Sequence, residues 1–238
     1  MIRTHGNAWF ATASLALATV LAGCATTGAE DTTVTASTGA AAVADDGLRK
    51  INHKGFDAVY WRAGATLAGY DRILIDDVEV AFRKNWQRDQ NRQRRSPSER
   101  ITADDMARIR SAVAEGFTEV LARELEAAGY EVVDAPGENV LALEPAIVDL
   151  DVFAPDVSMR QPGITRTYTA EAGRMTLNLE LFDSGSNSLI GRVVDRRIAR
   201  NTGTLQFSNQ ITNRQEANVI FRSWARVLVR ALQEAENG

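Results

Sequence analysis

Hydrophobic residues change their period along the chain, and the changes mark its elements. Between residues 103 and 128, Met106, Ile109, Val113, Phe117, Val120 and Leu121 recur at three- and four-residue steps. That spacing gathers them on one face of a helix. Thr102 and Asp105 stand where a capping box closes a first turn, with Asp in place of the usual Glu or Gln. Gly129 follows where a left-handed residue ends a helix. A second helix is expected over 214–235. Ala217, Ile220, Trp224, Val227, Leu228 and Ala231 share one face, and Asn213 with Glu216 resembles a capping box. Arg222, Arg226 and Arg230 form a stripe on the opposite face.

Strands show as period-two alternation. Met175, Leu177, Leu179 and Leu181 alternate with Thr176, Asn178 and Glu180. The polar run 183–187 is then a hairpin turn, and residues 189–200 return. Residues 139–153 form a long strand in which Pro145 marks an edge or a bulge. Residues 72–82 carry the strongest strand pattern. Ile73 and Ile75 share one phase and Val78, Val80 and Phe82 the other, so a bend is expected at Asp76-Asp77. Shorter strands are expected at 57–62 and 130–133, and Pro136-Gly137 reads as a turn. This order predicts an α+β domain: a mostly antiparallel or mixed sheet with two main helices packed on one face.

The N-terminus changes the picture. Arg3 precedes an uncharged apolar run from Phe10 to Leu21. It is short for a membrane span of about 20 residues and fits the apolar region of a signal peptide. It ends in Leu21-Ala22-Gly23-Cys24, which resembles the bacterial lipobox, cut before a cysteine that takes lipid on its sulfur and amine. The expectation is a signal peptide over 1–23 and an acylated Cys24, with the several chains that stable anchoring requires. Alanine rather than aspartate at 25 implies outer-membrane delivery under the enterobacterial sorting rule, with the domain facing the periplasm. Residues 25–46 are rich in Ala and Thr and show no period, which reads as a flexible tether from Cys24. A single domain, 47–238, follows.

Of 238 residues, 45% are hydrophobic and 24% charged, the composition of a chain that buries a core. A net charge of -4 and an exported address argue against nucleic acid. One cysteine excludes an internal disulfide. Two histidines, of which only His53 survives cleavage, leave zinc, haem and triad chemistry short of ligands and bases. His53 itself reads as a solvated residue at the start of the domain. No phosphate-cradling glycine loop or serine elbow occurs, and neither metal nor cofactor is expected.

Several segments in order carry a resemblance. They are LAGYDRILIDDVEV (67–80), GYEVV (129–133), LELFDS (179–184), GRVVDRR (191–197) and a closing helix with Trp224. Together they resemble an uncharacterised family of Gram-negative lipoproteins, the domain-of-unknown-function family 3313, over residues 54–235. The chain departs from the family's usual pattern in an Arg-rich stretch after Phe82. The resemblance implies an envelope location and a fold. It implies no reaction and no catalytic residues.

That Arg-rich stretch, 83–100, is the sharpest local chemistry. Arg83, Lys84, Arg88, Arg92, Arg94, Arg95 and Arg100 face only Asp89 and Glu99 in an otherwise acidic protein. As a loop with an exposed Trp86, it suits anionic headgroups, peptidoglycan carboxylates or an acidic protein. The bland reading is a solvated loop in a chain with 24 Arg and 3 Lys. Residues 83–95 of it, with Arg83, Lys84, Trp86, Arg88, Arg92, Arg94 and Arg95, form the candidate binding surface together with the Arg222, Arg226 and Arg230 stripe. Paired carboxylates offer the alternative, an envelope glycan or lipid hydrolase. Asp77 with Glu79, and Asp149 with Asp151, lie two apart and would share a strand face beside Asp76. Tyr60, Trp61, Trp86 and Tyr168 are candidates for a sugar platform. The long connection 154–172, with Arg160 and Arg166, is a further candidate surface. The leading expectation is a non-catalytic module, held to the membrane by lipid, that binds or scaffolds an envelope protein or peptidoglycan.

Overall fold

The computed structural model describes residues 46–92, 94, 96–152, 167–169, 173–199, 206–208 and 210–236. All of them fall in one compact unit, Ala40–Gly238. The signal peptide, Cys24, the tether to residue 45, Arg95, Arg160 and Arg166 lie outside the described residues.

The elements are β1 (Leu48–Ile51), β2 (Ala58–Arg62), β3 (Arg72–Ile75), β4 (Glu79–Phe82), α1 (Trp86–Arg92), a 3-10 turn (Pro97–Glu99), α2 (Ala103–Ala127), β5 (Glu131–Val133), β6 (Val140–Val152), β7 (Thr167–Thr169), β8 (Gly173–Asp183), β9 (Ser188–Ala199), β10 (Gln206–Ser208) and α3 (Gln210–Glu236). Eight strands form one sheet in the order β1-β2-β9-β8-β6-β3-β5, with β4 also paired to β6. β7 and β10 pair separately. The sheet is mixed: β3 and β4 run parallel to β6, whereas β6, β8, β9, β2 and β1 are joined antiparallel. The α+β architecture expected from the sequence is the one observed.

The strand pattern over 72–82 becomes two strands. β3 lies along the first half of β6, with Ile73 opposite Leu141, and β4 along the second, with Val80 opposite Ile147. The phase change at Asp76-Asp77 marks the step between them.

β8 turns Met175, Leu177, Leu179 and Leu181 into a core shared with Phe117, Leu121 and Leu125 of α2 and Ile220, Trp224 and Leu228 of α3. Both helices therefore cover the same face of the sheet. Fully burying each such side chain contributes about 1.5–3 kcal/mol. α2 begins with the expected capping box: Thr102 Oγ1 accepts from Asp105 N, and Asp105 Oδ2 accepts from Thr102 N at 2.8 Å. It ends at Gly129, whose φ of +98° suits a residue without a Cβ. Gly191 has a different reason to be glycine. A Cβ there would fall 2.5 Å from the Trp61 ring, which lies across the strand at that point.

Among the described residues three carboxylates are buried, Asp105, Asp151 and Asp195, and the last lies between these layers. Asp195, 2% exposed, accepts from Trp224 Nε1 at 2.7 Å and from Asp57 N at 2.9 Å, and it pairs with Arg197. Asp57 returns a bond by accepting from Arg196 N at 2.9 Å. This closes α3, β9 and the β1–β2 loop together. Truncating one partner would leave buried donors unmatched, the costly case for hydrogen bonds.

Candidate functional site

The strands give the domain an axis. Asp46, the first described residue, pairs with Arg192 at 2.6 Å, and at this proximal end the β8–β9 turn meets the start of β6 through Ser184 N to Val140 O, 3.1 Å. β6 runs from there for 13 residues, about 40 Å at ~3.3 Å per residue. It ends beside Gly173 of β8, which pairs in turn with Ala199 of β9. This is the distal end.

The Arg-rich stretch sits at the distal end and is not a loop. Lys84 and Asn85, the latter at φ +62°, turn the chain from β4 into α1. Trp86 is 1% exposed, contrary to the expectation of an exposed ring. It stacks on Phe82 at 4.2 Å, and its Nε1 donates to Val152 O at 3.3 Å. The physical reason is the end of β6, whose last carbonyl needs a donor and whose apolar flank needs cover. Gln90 donates to the same carbonyl at 3.2 Å, and Gln87 and Asn91 each donate to Ile101 O at 3.0 Å. Asn91 Oδ1 also accepts from Ile101 N at 2.7 Å. One buried tryptophan and three side-chain amides thus fix a seven-residue helix with no apolar stripe of its own.

The basic residues divide by role. Arg83 pairs with Asp89 at 2.8 Å and with the buried Asp151 at 2.9 Å, and its bond to Asp89 holds it more firmly charged than a free guanidinium. Arg174 also lies against Asp151, at 3.5 Å. Arg94 donates to Glu99 O at 2.9 Å, and burial pulls its pKa down. Those three serve the fold. Lys84, Arg88, Arg92 and Arg100 point outward and are exposed, Arg88 with 60% of its side chain open despite a 3.4 Å contact to Asp89. Lys54, on the β1–β2 loop, is also exposed at this end.

The second basic group lies elsewhere. Arg226 pairs with Glu124 at 3.1 Å, close to the last turn of α2, whereas α1 is bonded to Ile101, just before its first. At 1.5 Å per residue the two groups are about 30 Å apart along α2. Arg222 and Arg230 follow Arg226 on the exposed side of α3. The structure does not bring the stripe and the 83–100 segment into one surface.

Asp149 and Asp151 do not converge either. A register shift between Val148 and Asp151 breaks the strand alternation. Asp149, at φ +52°, is exposed, while Asp151 is 3% exposed and paired with arginines. Asp77 and Glu79 are exposed and Asp76 is half-buried. Among the described residues no group of three His, Cys, Asp or Glu is placed to hold a metal ion. Of the aromatic candidates, Trp61 donates to Ala65 O at 3.1 Å and is half-buried, as is Tyr60; only the backbone of Tyr168 is described. His53 is half-buried and stacked on Phe56 at 5.6 Å, contrary to a freely solvated ring. Among the described residues no helix is long and apolar enough to cross a membrane.

One feature had no counterpart in the linear sequence. Asp71, Glu131, Asp134 and Glu138 are exposed at the proximal end, against Arg62 and Arg72. At the distal end the exposed basic residues outnumber Asp57, Glu99, Asp104 and Asp149. The stripe of Arg222, Arg226 and Arg230, also exposed, lies near the last turn of α2, so neither end carries a single sign of charge.

The profile of the family described as Protein of unknown function (DUF3313) matches residues 38–228. The chain belongs to this family. No curated protein matches the DUF3313 chain. Its fold is similar to that of solved structures at low identity. PelC from Paraburkholderia phytofirmans, solved as a dodecamer, is 12% identical with a TM-score of 0.36, over 72% of this chain and 96% of that one. A minor lipoprotein from Acinetobacter baumannii is 12% identical with a TM-score of 0.31, over 71% and 94%. A putative neuraminyllactose-binding hemagglutinin homolog from Helicobacter pylori is 11% identical with a TM-score of 0.28, over 71% and 88%.

Proposed function

We propose that this DUF3313 protein is a lipid-anchored, outer-membrane lipoprotein whose periplasmic domain is a non-catalytic binding module. The sequence Leu21-Ala22-Gly23-Cys24 supports the anchor. The observation that carries the binding role is the cluster of exposed Lys84, Arg88, Arg92 and Arg100 around a helix pinned by the buried Trp86. A charged surface on a rigid support can recognise an anionic partner without first ordering a loop. Asp149 is exposed and Asp151 is engaged by Arg83 and Arg174, so that pair of carboxylates is not free to act together, and the binding role is the better supported of the two.

Two experiments test the reading. Metabolic labelling with an alkynyl fatty acid is expected to mark the protein and to fail in Cys24→Ala; labelling that survives the substitution removes the anchor. In-cell photo-crosslinking from position 88 is expected to yield discrete adducts. A folded, exported protein that gives none would return the arginines to a solvated surface.

A further inference from the structure

The β1–β2 hairpin encloses a cavity of about 310 Å³, lined by residues between Lys50 and Val59. That is the lower end of the range of small-ligand pockets, about 300–1,000 Å³. The loop that forms it is held at several points. Asp57 N donates to Asp195 at 2.9 Å, and Asp57 Oδ2 accepts from Arg196 N at 2.9 Å. Gly55 O accepts from Arg197 at 2.8 Å, and Phe56 is anchored in the core. Gly55, at φ +118°, lays its backbone against α3, where a Cβ would fall 2.7 Å from Val227 Cγ1. The walls are therefore set by β9 and α3 as well as by the hairpin itself.

The lining departs from the rest of the chain. Lysine occurs three times against 24 arginines, and two of the three, Lys50 and Lys54, line this cavity. Both are exposed. A lysine ammonium is a compact charge on a flexible stem, so it can close on an anion without the planar fork that arginine must match. His53, the one histidine among the described residues, lies between them in sequence and also lines the cavity. Its Nδ1 is closed to solvent and has no hydrogen-bond partner among the described residues. A buried polar atom in that position costs free energy until a partner arrives. Ile51, Phe56 and Val59 supply an apolar wall, and Ile51 is 41% exposed. The acid in the lining is Asp57, already engaged by the backbone of Arg196.

We propose that this cavity is a binding site for a small amphiphilic carboxylate. The head group sits between Lys50 and Lys54 beside His53, and a short apolar body lies against Phe56 and Ile51. Two lysines against one aspartate leave a single positive charge, which matches a carboxylate better than a dianionic phosphate. The site is separate from α1 and goes beyond the binding-module reading above.

The test is titration of the full chain carrying Cys24→Ser with hexanoate, followed through the proton–nitrogen signals of the His53 imidazole. His53→Gln distinguishes these from the signals of His5. A saturable shift with a Kd of about 1–10 mM is expected. Acetate is expected to bind at least about tenfold more weakly, because each further buried methylene contributes up to about fourfold. The uncharged 1-hexanol should bind about tenfold more weakly than hexanoate, and K50Q/K54Q, folded by its unchanged urea midpoint, should lose about tenfold for hexanoate. Inorganic phosphate should bind more weakly than hexanoate. No saturable shift up to about 100 mM hexanoate overturns the site. Acetate as tight as hexanoate overturns the apolar body. Hexanol as tight as hexanoate, or K50Q/K54Q as tight as the parent, overturns the lysine-held head group. Phosphate as tight as hexanoate overturns the carboxylate assignment. None of these outcomes bears on adducts from position 88, so this site and the binding module fail separately.

Discussion

The two ends of the sheet handle charge differently. At the proximal end, carboxylates are built into turns. Asp183 accepts from Tyr70 Oη at 2.7 Å and from the backbone and hydroxyl of Ser186 at 2.7 and 2.6 Å. The Ser186 hydroxyl, then Tyr70, holds its pKa below the usual carboxylate value, while burial, then Asp183, pushes Tyr70 up to about 12. Asp46 accepts from Leu48 N at 3.1 Å and pairs with Arg192, so it fixes the start of β1. At the distal end, Arg83, Arg94, Arg174 and Arg108 are tied in this way, Arg108 to the buried Asp105. Lys84, Arg88, Arg92 and Arg100 keep their side chains exposed. A charge that serves the fold gives up exposure for partners. A charge that keeps its exposure adds little to stability and is available for recognition.

Four predictions press on that contrast. The largest concerns the distal support. Trp86→Ala removes a fully buried indole and its bond to Val152, and is expected to lower unfolding free energy by about 3–5 kcal/mol in urea melts. A loss below about 0.5 kcal/mol, the usual range for surface positions, would mean that the ring is exposed and α1 unpinned.

At the proximal end, Asp183→Asn is expected to cost about 1 kcal/mol at neutral pH, because Tyr70 and Ser186 lose a charged acceptor. The sign with pH follows from the lowered pKa. In a range above its unfolded value of about 3.9 the ionised Asp183 gives its full contribution, which is lost as pH falls through the folded value. The gap between wild type and variant should therefore close in acid; a gap constant from neutral pH into strong acid would show that ionisation is not involved.

The distal substitutions R88E/R92E should move the urea midpoint by less than about 0.5 kcal/mol equivalent while abolishing most partner binding. Equal losses of stability and binding would erase the distinction between the two ends.

The smallest effect lies between them. Glu144 stands directly opposite Glu180 on the neighbouring strand. Burial first, then Asp76, Glu180 and Glu79, raises its pKa. A folded-state pKa above the unfolded value means that the folded chain holds the proton longer, so ionisation of Glu144 lowers stability as pH rises through that interval. Glu144→Gln is expected to stabilise slightly at neutral pH and to be neutral below about pH 4, where both states are protonated. A destabilised variant at neutral pH would mean that Glu144 has a favourable partner.

Much of this fold was legible in the residues, for identifiable reasons. α2, α3 and the β8–β9 hairpin carry their own periodicity, and the phase change at Asp76-Asp77 foretold the step from β3 to β4. α1 was not legible, because its stability comes from Trp86 and amide side chains reaching carbonyls ten to sixty-six residues away in sequence, not from a local pattern. β1 was missed for a related reason: four residues become a strand only by pairing with β2. The Asp149–Asp151 pairing failed at a bulge that no residue type announces, with a non-glycine residue at positive φ. The basic residues themselves were plain in the sequence. Their place at the far end of the sheet from Asp46 was not, since it depends on how the strands are threaded.

The central claim is that the distal end, and not the proximal one, meets the partner. The most direct measurement is in-cell photo-crosslinking with the same probe placed at position 92 and, separately, at position 138. The account predicts discrete adducts from 92, sensitive to Arg88→Glu, and none of that kind from 138. Adducts from 138 with none from 92 would contradict it and assign recognition to the proximal end.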